Sequence, residues 1–72
     1  MTPSSPVAFE LNGEARTAQP GTTLGGLAAE LGLDPRILLV ELNGEALPRD
    51  GWTARALQPG DQIEFVRIVA GG

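Results

Sequence analysis

The chain contains no cysteine, no histidine and no lysine. Each absence removes a class of chemistry. Without cysteine there is no disulfide to supplement a small core, no thiolate ligand, and no side-chain thiol on which sulfur could be carried. Without histidine as well, Ser-His and Cys-His nucleophile systems, the usual zinc sites and histidine pH switches are excluded. Without lysine there is no Schiff-base amine and no lysine to clamp a phosphate. No candidate site for independent catalysis remains, and no bound metal or cofactor is expected.

Clustered positive charge is missing too. Nine acidic residues face five basic ones, a net charge of -4, and the cations Arg16, Arg36, Arg49, Arg55 and Arg67 are scattered singly. Nucleic acid is therefore not expected as a partner, because phosphate neutralisation needs a basic face. An acidic domain suits a partner with a basic surface, although modest negative charge also serves solubility alone. No apolar run approaches the roughly 20 residues of a membrane helix. The stretch 1–6 lacks the basic and apolar regions of a signal peptide, so a cytoplasmic location without membrane contact is expected. With 72 residues the chain allows one domain.

What is present reads in order. Residues 1–6, with two prolines, two serines and a threonine, form a disordered lead with nothing to bury. Val7 to Leu11 alternates as a half-buried strand does, and Asn12-Gly13 offers the two positive-φ positions of a type I′ turn, which predicts a returning strand over 14–19. Pro20-Gly21 ends that hairpin. Thr22 or Thr23 can cap a helix whose apolar stripe is Leu24, Leu27, Ala28 and Leu31, with Gly32 as a left-handed C-terminal cap. Gly25 and Gly26 each weaken that helix by about 1 kcal/mol relative to alanine, so packing must hold it.

After the connector 33–36, the apolar run Ile37 to Leu42 predicts a strand covered on both faces or central in a sheet. A second Asn-Gly, at 43–44, turns the chain into Glu45-Ala46-Leu47, which Pro48 ends. Residues 48–52 are irregular, with Trp52 over a core edge, and Thr53 to Leu57 reads as a short, weak strand. Pro59-Gly60 fits a type II turn. The last strand then runs from Gln62 nearly to Gly71-Gly72, so that a structured core presents a carboxylate on a glycine tip.

The expected class is α+β: a mixed sheet of about five strands with one main helix across one face. The β-grasp roll is the simplest closure, with the first and last strands parallel at the centre. It divides the chain into the lead 1–6, a domain over 7–69 and a flexible tail 70–72. Alternation sends Val7, Phe9, Leu11, Val40, Leu42, Ile63 and Phe65 toward the helix, and Leu39, Glu41, Glu64, Val66 and Ile68 the other way. The outer set reads either as a partner interface, an apolar patch rimmed by carboxylates, or as ordinary half-buried strand residues. Arg67, beside the tail, joins it as a candidate contact or as solvated surface.

The Asn-Gly hairpin near the start, Val40-Glu41-Leu42-Asn43-Gly44, Pro48-Arg49 with Trp52, Gly60-Asp61 before the last strand, and Ala70-Gly71-Gly72 together resemble the thiamin-biosynthesis sulfur carriers, the ThiS family of ubiquitin-like β-grasp proteins. The resemblance spans about residues 7 to 72, with the lead as a departure. It implies a protein co-substrate and not an enzyme. The Gly72 carboxylate would be adenylated by a partner of the ubiquitin-activating type that uses ATP and magnesium. A sulfurtransferase or cysteine desulfurase would then convert it to a thiocarboxylate, and the sulfur would pass to thiazole synthase. Ala70 and Gly71 would let the tail enter partner active sites. The small subunit of molybdopterin synthase, another sulfur-carrier branch, and a docking module with an inert tail share many of these features.

Overall fold

The computed structural model describes residues 5–68. Along them run strands β1 (Val7–Leu11) and β2 (Glu14–Ala18), helix α1 (Leu24–Glu30), and strands β3 (Leu38–Leu42), β4 (Glu45–Ala46) and β5 (Gln62–Arg67). The sheet order is β2-β1-β5-β3-β4. β1 and β5 are parallel, with Leu11 beside Ile63, and the remaining neighbours are antiparallel. This is the expected β-grasp arrangement. The two central strands come from opposite ends of the described chain.

Local chemistry sets the turns as read from the sequence. Asn12 and Gly13 have φ of 50° and 82°, and Asn43 and Gly44 have 53° and 85°, the paired left-handed values of a type I′ hairpin. Both asparagines also reach into the sheet. Asn12 Oδ1 accepts the Phe65 N–H at 2.9 Å and Asn12 Nδ2 donates weakly to the Phe65 carbonyl at 3.5 Å, so one side chain imitates the next rung of the β1–β5 ladder. Asn43 Oδ1 accepts the Gln62 N–H at 2.9 Å at the other end of β5.

Helix α1 is capped by Thr23, whose hydroxyl accepts the Gly26 N–H at 3.1 Å, and Gly32 follows its end at φ 71°. Seven residues with two glycines would not hold as an isolated helix. Its Leu24, Leu27 and Ala28 are buried against Val7, Phe9, Leu11, Val40, Ile63 and Phe65. Burying the two leucines contributes about 2 kcal/mol each, which offsets the propensity loss. Gly25 has a further reason to be glycine: a Cβ there would lie 3.1 Å from Thr53 Cγ2, and its N–H donates to the Trp52 carbonyl at 3.0 Å.

That contact accounts for two differences from the elements expected from the sequence. Trp52 is a core residue, 4% exposed, and not an edge cover; its indole N–H donates to the Leu47 carbonyl at 3.0 Å. Thr53 to Leu57 is not a strand. With Trp52 drawn under the helix start, the segment follows the helix and makes one bridge, Ala56 to Thr23, while Leu57 enters the core. Separately, Ile37 belongs to a 3-10 turn, Pro35–Ile37, opened by the Asp34 carboxylate accepting the Arg36 N–H at 2.9 Å, and β3 starts one residue later. Val69, Ala70, Gly71, Gly72 and residues 1–4 lie outside the described residues.

Asp61 is the buried carboxylate at the entrance to β5. Its oxygens accept from Arg55 Nη1 and Nη2 at 2.9 and 3.1 Å, from the Gln58 N–H at 2.9 Å and from Asn43 Nδ2 at 3.2 Å. The Arg55 bonds first, then the Gln58 and Asn43 donors, outweigh desolvation and hold its pKa at about 2, below the unfolded value of 3.8. A depressed carboxylate stabilises the fold fully above its unfolded pKa and loses that contribution as pH falls through its folded one. Denaturant melts between pH 5 and 2 should therefore show about 2 kcal/mol lost, most of it below pH 4. Asp61→Asn should remove this acid-sensitive component and cost about 3 kcal/mol at neutral pH.

Candidate functional site

Strand β5 alternates in the expected sense. Ile63 and Phe65 are buried under the helix, while Gln62, Glu64 and Val66 are exposed on the outer face. β3 matches it in antiparallel register: Leu39 lies opposite Val66 and Glu41 opposite Glu64. The structure thus brings Leu39, Glu41, Glu64 and Val66 side by side. Ile68 donates its N–H to the Ile37 carbonyl at 2.7 Å, which extends the same row. Leu39, Val66, Ile68 and Ile37 are 55%, 45%, 45% and 40% exposed, which gathers four large aliphatic side chains on one row of the sheet.

The sheet strands themselves carry carboxylates on this face. Glu10 stands beside Gln62 across the β1–β5 boundary, and Glu41 and Glu64 continue the acidic end toward β3. Of the arginines, Arg55 is held by Asp61, and Arg16 is opposite the buried Phe9 on the helix side. Arg67 is opposite the buried Leu38, so it too faces the helix side, away from the other candidate contacts. Arg36, paired with Asp34, and Arg49 border a shallow groove of about 380 Å³ that also takes in Leu39, Glu41, Leu47, Pro48 and Ile68. The Pro48-Arg49 motif and the outer patch, separate in sequence, therefore share one surface. The sequence reading missed the Arg55–Asp61 pair, for which the only signal was a carboxylate directly behind a Pro-Gly turn.

A family model described as the ThiS family matches residues 9–72. The chain belongs to the ThiS family. It is similar to the crystal structure of the thiamine biosynthesis protein ThiS from Geobacter metallireducens, with 30% identity, a TM-score of 0.75, and coverage of 92% of this chain and 100% of that one. The solution structure of a thiamine biosynthesis protein from the same organism gives 30% identity and a TM-score of 0.73, over 92% of this chain and 88% of that one. Among curated proteins, a thiazole synthase of Magnetococcus marinus is 45% identical over 64 residues, 89% of this chain and 20% of that protein. A thiazole synthase of Paramagnetospirillum magneticum is 37% identical over 62 residues, 86% and 19% respectively. The chain spans about a fifth of the length of these curated relatives. Among the described residues no group of three or more metal-ligating side chains converges, and no helix is long and apolar enough to cross a membrane.

The acidic end of the face has a measurable cost. Like charges directly opposite on a sheet are destabilising, by about 0.2–1 kcal/mol. Glu41→Gln should therefore raise the melting temperature at low ionic strength, and the gain should shrink as salt screens the Glu41–Glu64 repulsion.

Proposed function

We propose that the chain is a sulfur carrier of thiamin biosynthesis, consumed and regenerated as a co-substrate, with the carboxylate of Gly72 as its reactive group. The observation that carries this reading is that the family match runs through residue 72 while the central strand β5, paired on both flanks, leads toward it. The lack of cysteine and histidine agrees with a role in which the chemistry is supplied by partners.

The expected sequence of steps follows from carboxylate chemistry. The anion is a poor electrophile, so a Gly72 oxygen first attacks the α-phosphorus of ATP, held with magnesium by an adenylyltransferase, and pyrophosphate leaves. The terminal sulfur of a persulfide on a sulfurtransferase or cysteine desulfurase then attacks the carbonyl carbon, and AMP leaves. A second donor thiolate cleaves the resulting acyl disulfide: the donor becomes a disulfide and the chain keeps the thiocarboxylate. Glycine at 71 and 72 suits this route, since without Cβ the backbone can thread a narrow channel and the carbonyl stays open to attack.

Thiazole synthase is the proposed recipient of the sulfur. Support comes from the two relatives of that name, in each of which a stretch of about a fifth of the length aligns with this chain. The outer face, with Leu39, Val66 and Ile68 rimmed by Glu41 and Glu64, is the proposed docking surface for partners, and those two carboxylates fit basic groups on the partner side.

Incubation with the adenylating enzyme, ATP, magnesium and a persulfide donor should replace one terminal oxygen by sulfur, seen by intact-mass spectrometry. Deleting Gly72 should abolish that shift without moving the melting temperature, because the core lies within 7–65. Val66→Asp should lower the rate of adenylation about tenfold or more with the fold intact. A partner that binds the chain but never changes its mass would leave the domain a docking module with an inert tail.

A further inference from the structure

The edge of β5 that faces β1 runs out before the strand does. Glu10 donates its N–H to the Asp61 carbonyl at 2.9 Å and Asn12 donates its N–H to the Ile63 carbonyl at 2.8 Å. The chain then turns away at Gly13, and the Asn12 side chain supplies the rung at Phe65. The next rung on this edge is Arg67. Its backbone N–H and C=O point to the side that β1 has left, and among the described residues they have no hydrogen-bond partner there. Here β5 is a sheet edge on one flank while β3 still pairs with the other through Val66.

A cleft of about 450 Å³ lies beside this open rung, on the helix side of the sheet. Its apolar part is Leu11, Leu31, Leu33, Leu38 and Phe65, and its cations are Arg16 and Arg67. In a chain of net charge -4, these two guanidiniums border one cleft, and among the described residues neither makes an ion pair. We propose that the Arg67 edge of β5 and the Arg16–Arg67 cleft form a docking site for an extended acidic segment of a partner protein. Strand addition supplies main-chain bonds at Arg67, alternate apolar side chains lie on Leu31 and Leu33, and carboxylates meet the guanidinium forks. A small free anion fits less well. Both arginines are exposed, where an ion pair alone contributes little, and the apolar floor would stay uncovered.

The site lies on the opposite face from the Leu39–Val66 patch, so the two surfaces can be probed separately. The test uses the full chain labelled for NMR and a synthetic peptide alternating glutamate and valine, with a lysine–valine peptide and inorganic phosphate as controls. Amide exchange at Arg67 should be fast in the free chain and slowed by the glutamate peptide, with shifts at Asn12, Leu31 and Leu33. The double variant Arg16→Gln/Arg67→Gln should bind that peptide about tenfold more weakly at an unchanged melting temperature. Three results would overturn the proposal: an Arg67 amide already protected in the free chain, shifts confined to the Leu39–Val66 face, or no preference for glutamate over lysine peptide at millimolar concentration. Phosphate reproducing the Arg67 changes as tightly as the peptide would replace it with a small-anion site.

Discussion

Strand β5 is held by side chains at the places where its ladders end. Asn12 bonds to the Phe65 backbone past the end of β1, Asn43 bonds to Gln62 at the start of the strand, and Asp61 collects Arg55, Gln58 and Asn43 just before it. Asparagine can do this because it tolerates the left-handed conformation of a hairpin turn and carries an amide able to replace a backbone rung. Each hairpin is therefore tied to the central strand as well as to its own partner. A turn that slipped by one residue would lose its own geometry and also the clamp on β5. Register is thus specified by these side-chain clamps as well as by the buried face of the sheet.

The helix shows the same economy. Glycine at position 25 sacrifices propensity, yet it lets the first turn approach the Trp52 carbonyl and Thr53 closely. Trp52 can then fill the space beneath the helix start and bond to Leu47. A loop, and not a further strand, completes this side of the core. The trade is favourable because about 1 kcal/mol of helix propensity is small beside the burial of a tryptophan.

Features governed by neighbouring residues were legible in the sequence: both Asn-Gly turns, a threonine cap at 22 or 23 that falls on Thr23, the Gly32 terminus and the alternation that exposes Leu39, Glu41, Glu64 and Val66. Handedness and the single crossover helix left few closures, and the parallel pairing of first and last strands belongs to the simplest of them. What escaped depended on long-range placement. The strand expected at 53–57 failed because its residues are drawn to the helix start by Gly25, a contact between positions far apart in the chain. The Arg55–Asp61 pair joins two irregular segments, where no periodicity shows which way a side chain points. The position of Arg67 was within reach of period-2 reasoning. Counting two residues on from Phe65 puts it under the helix side, and counting across the hairpin from Phe9 puts Arg16 there too.

That alternation gives the end of β5 two chemically opposite faces. Outward it shows Glu64 and Val66 beside Glu41 and Leu39; toward the helix it shows Arg67 near Arg16, over leucines. A partner that follows the strand toward residue 72 meets acid with aliphatic surface on one side and guanidinium on the other. Approach with the strand rolled over would bring a basic rim against Arg16 and Arg67, and an acidic segment against Glu41 and Glu64. Like-charge contacts of that kind disfavour the rolled-over approach. The period of a single strand thus offers a way to fix which way up the domain is read, before any residue beyond β5 is engaged.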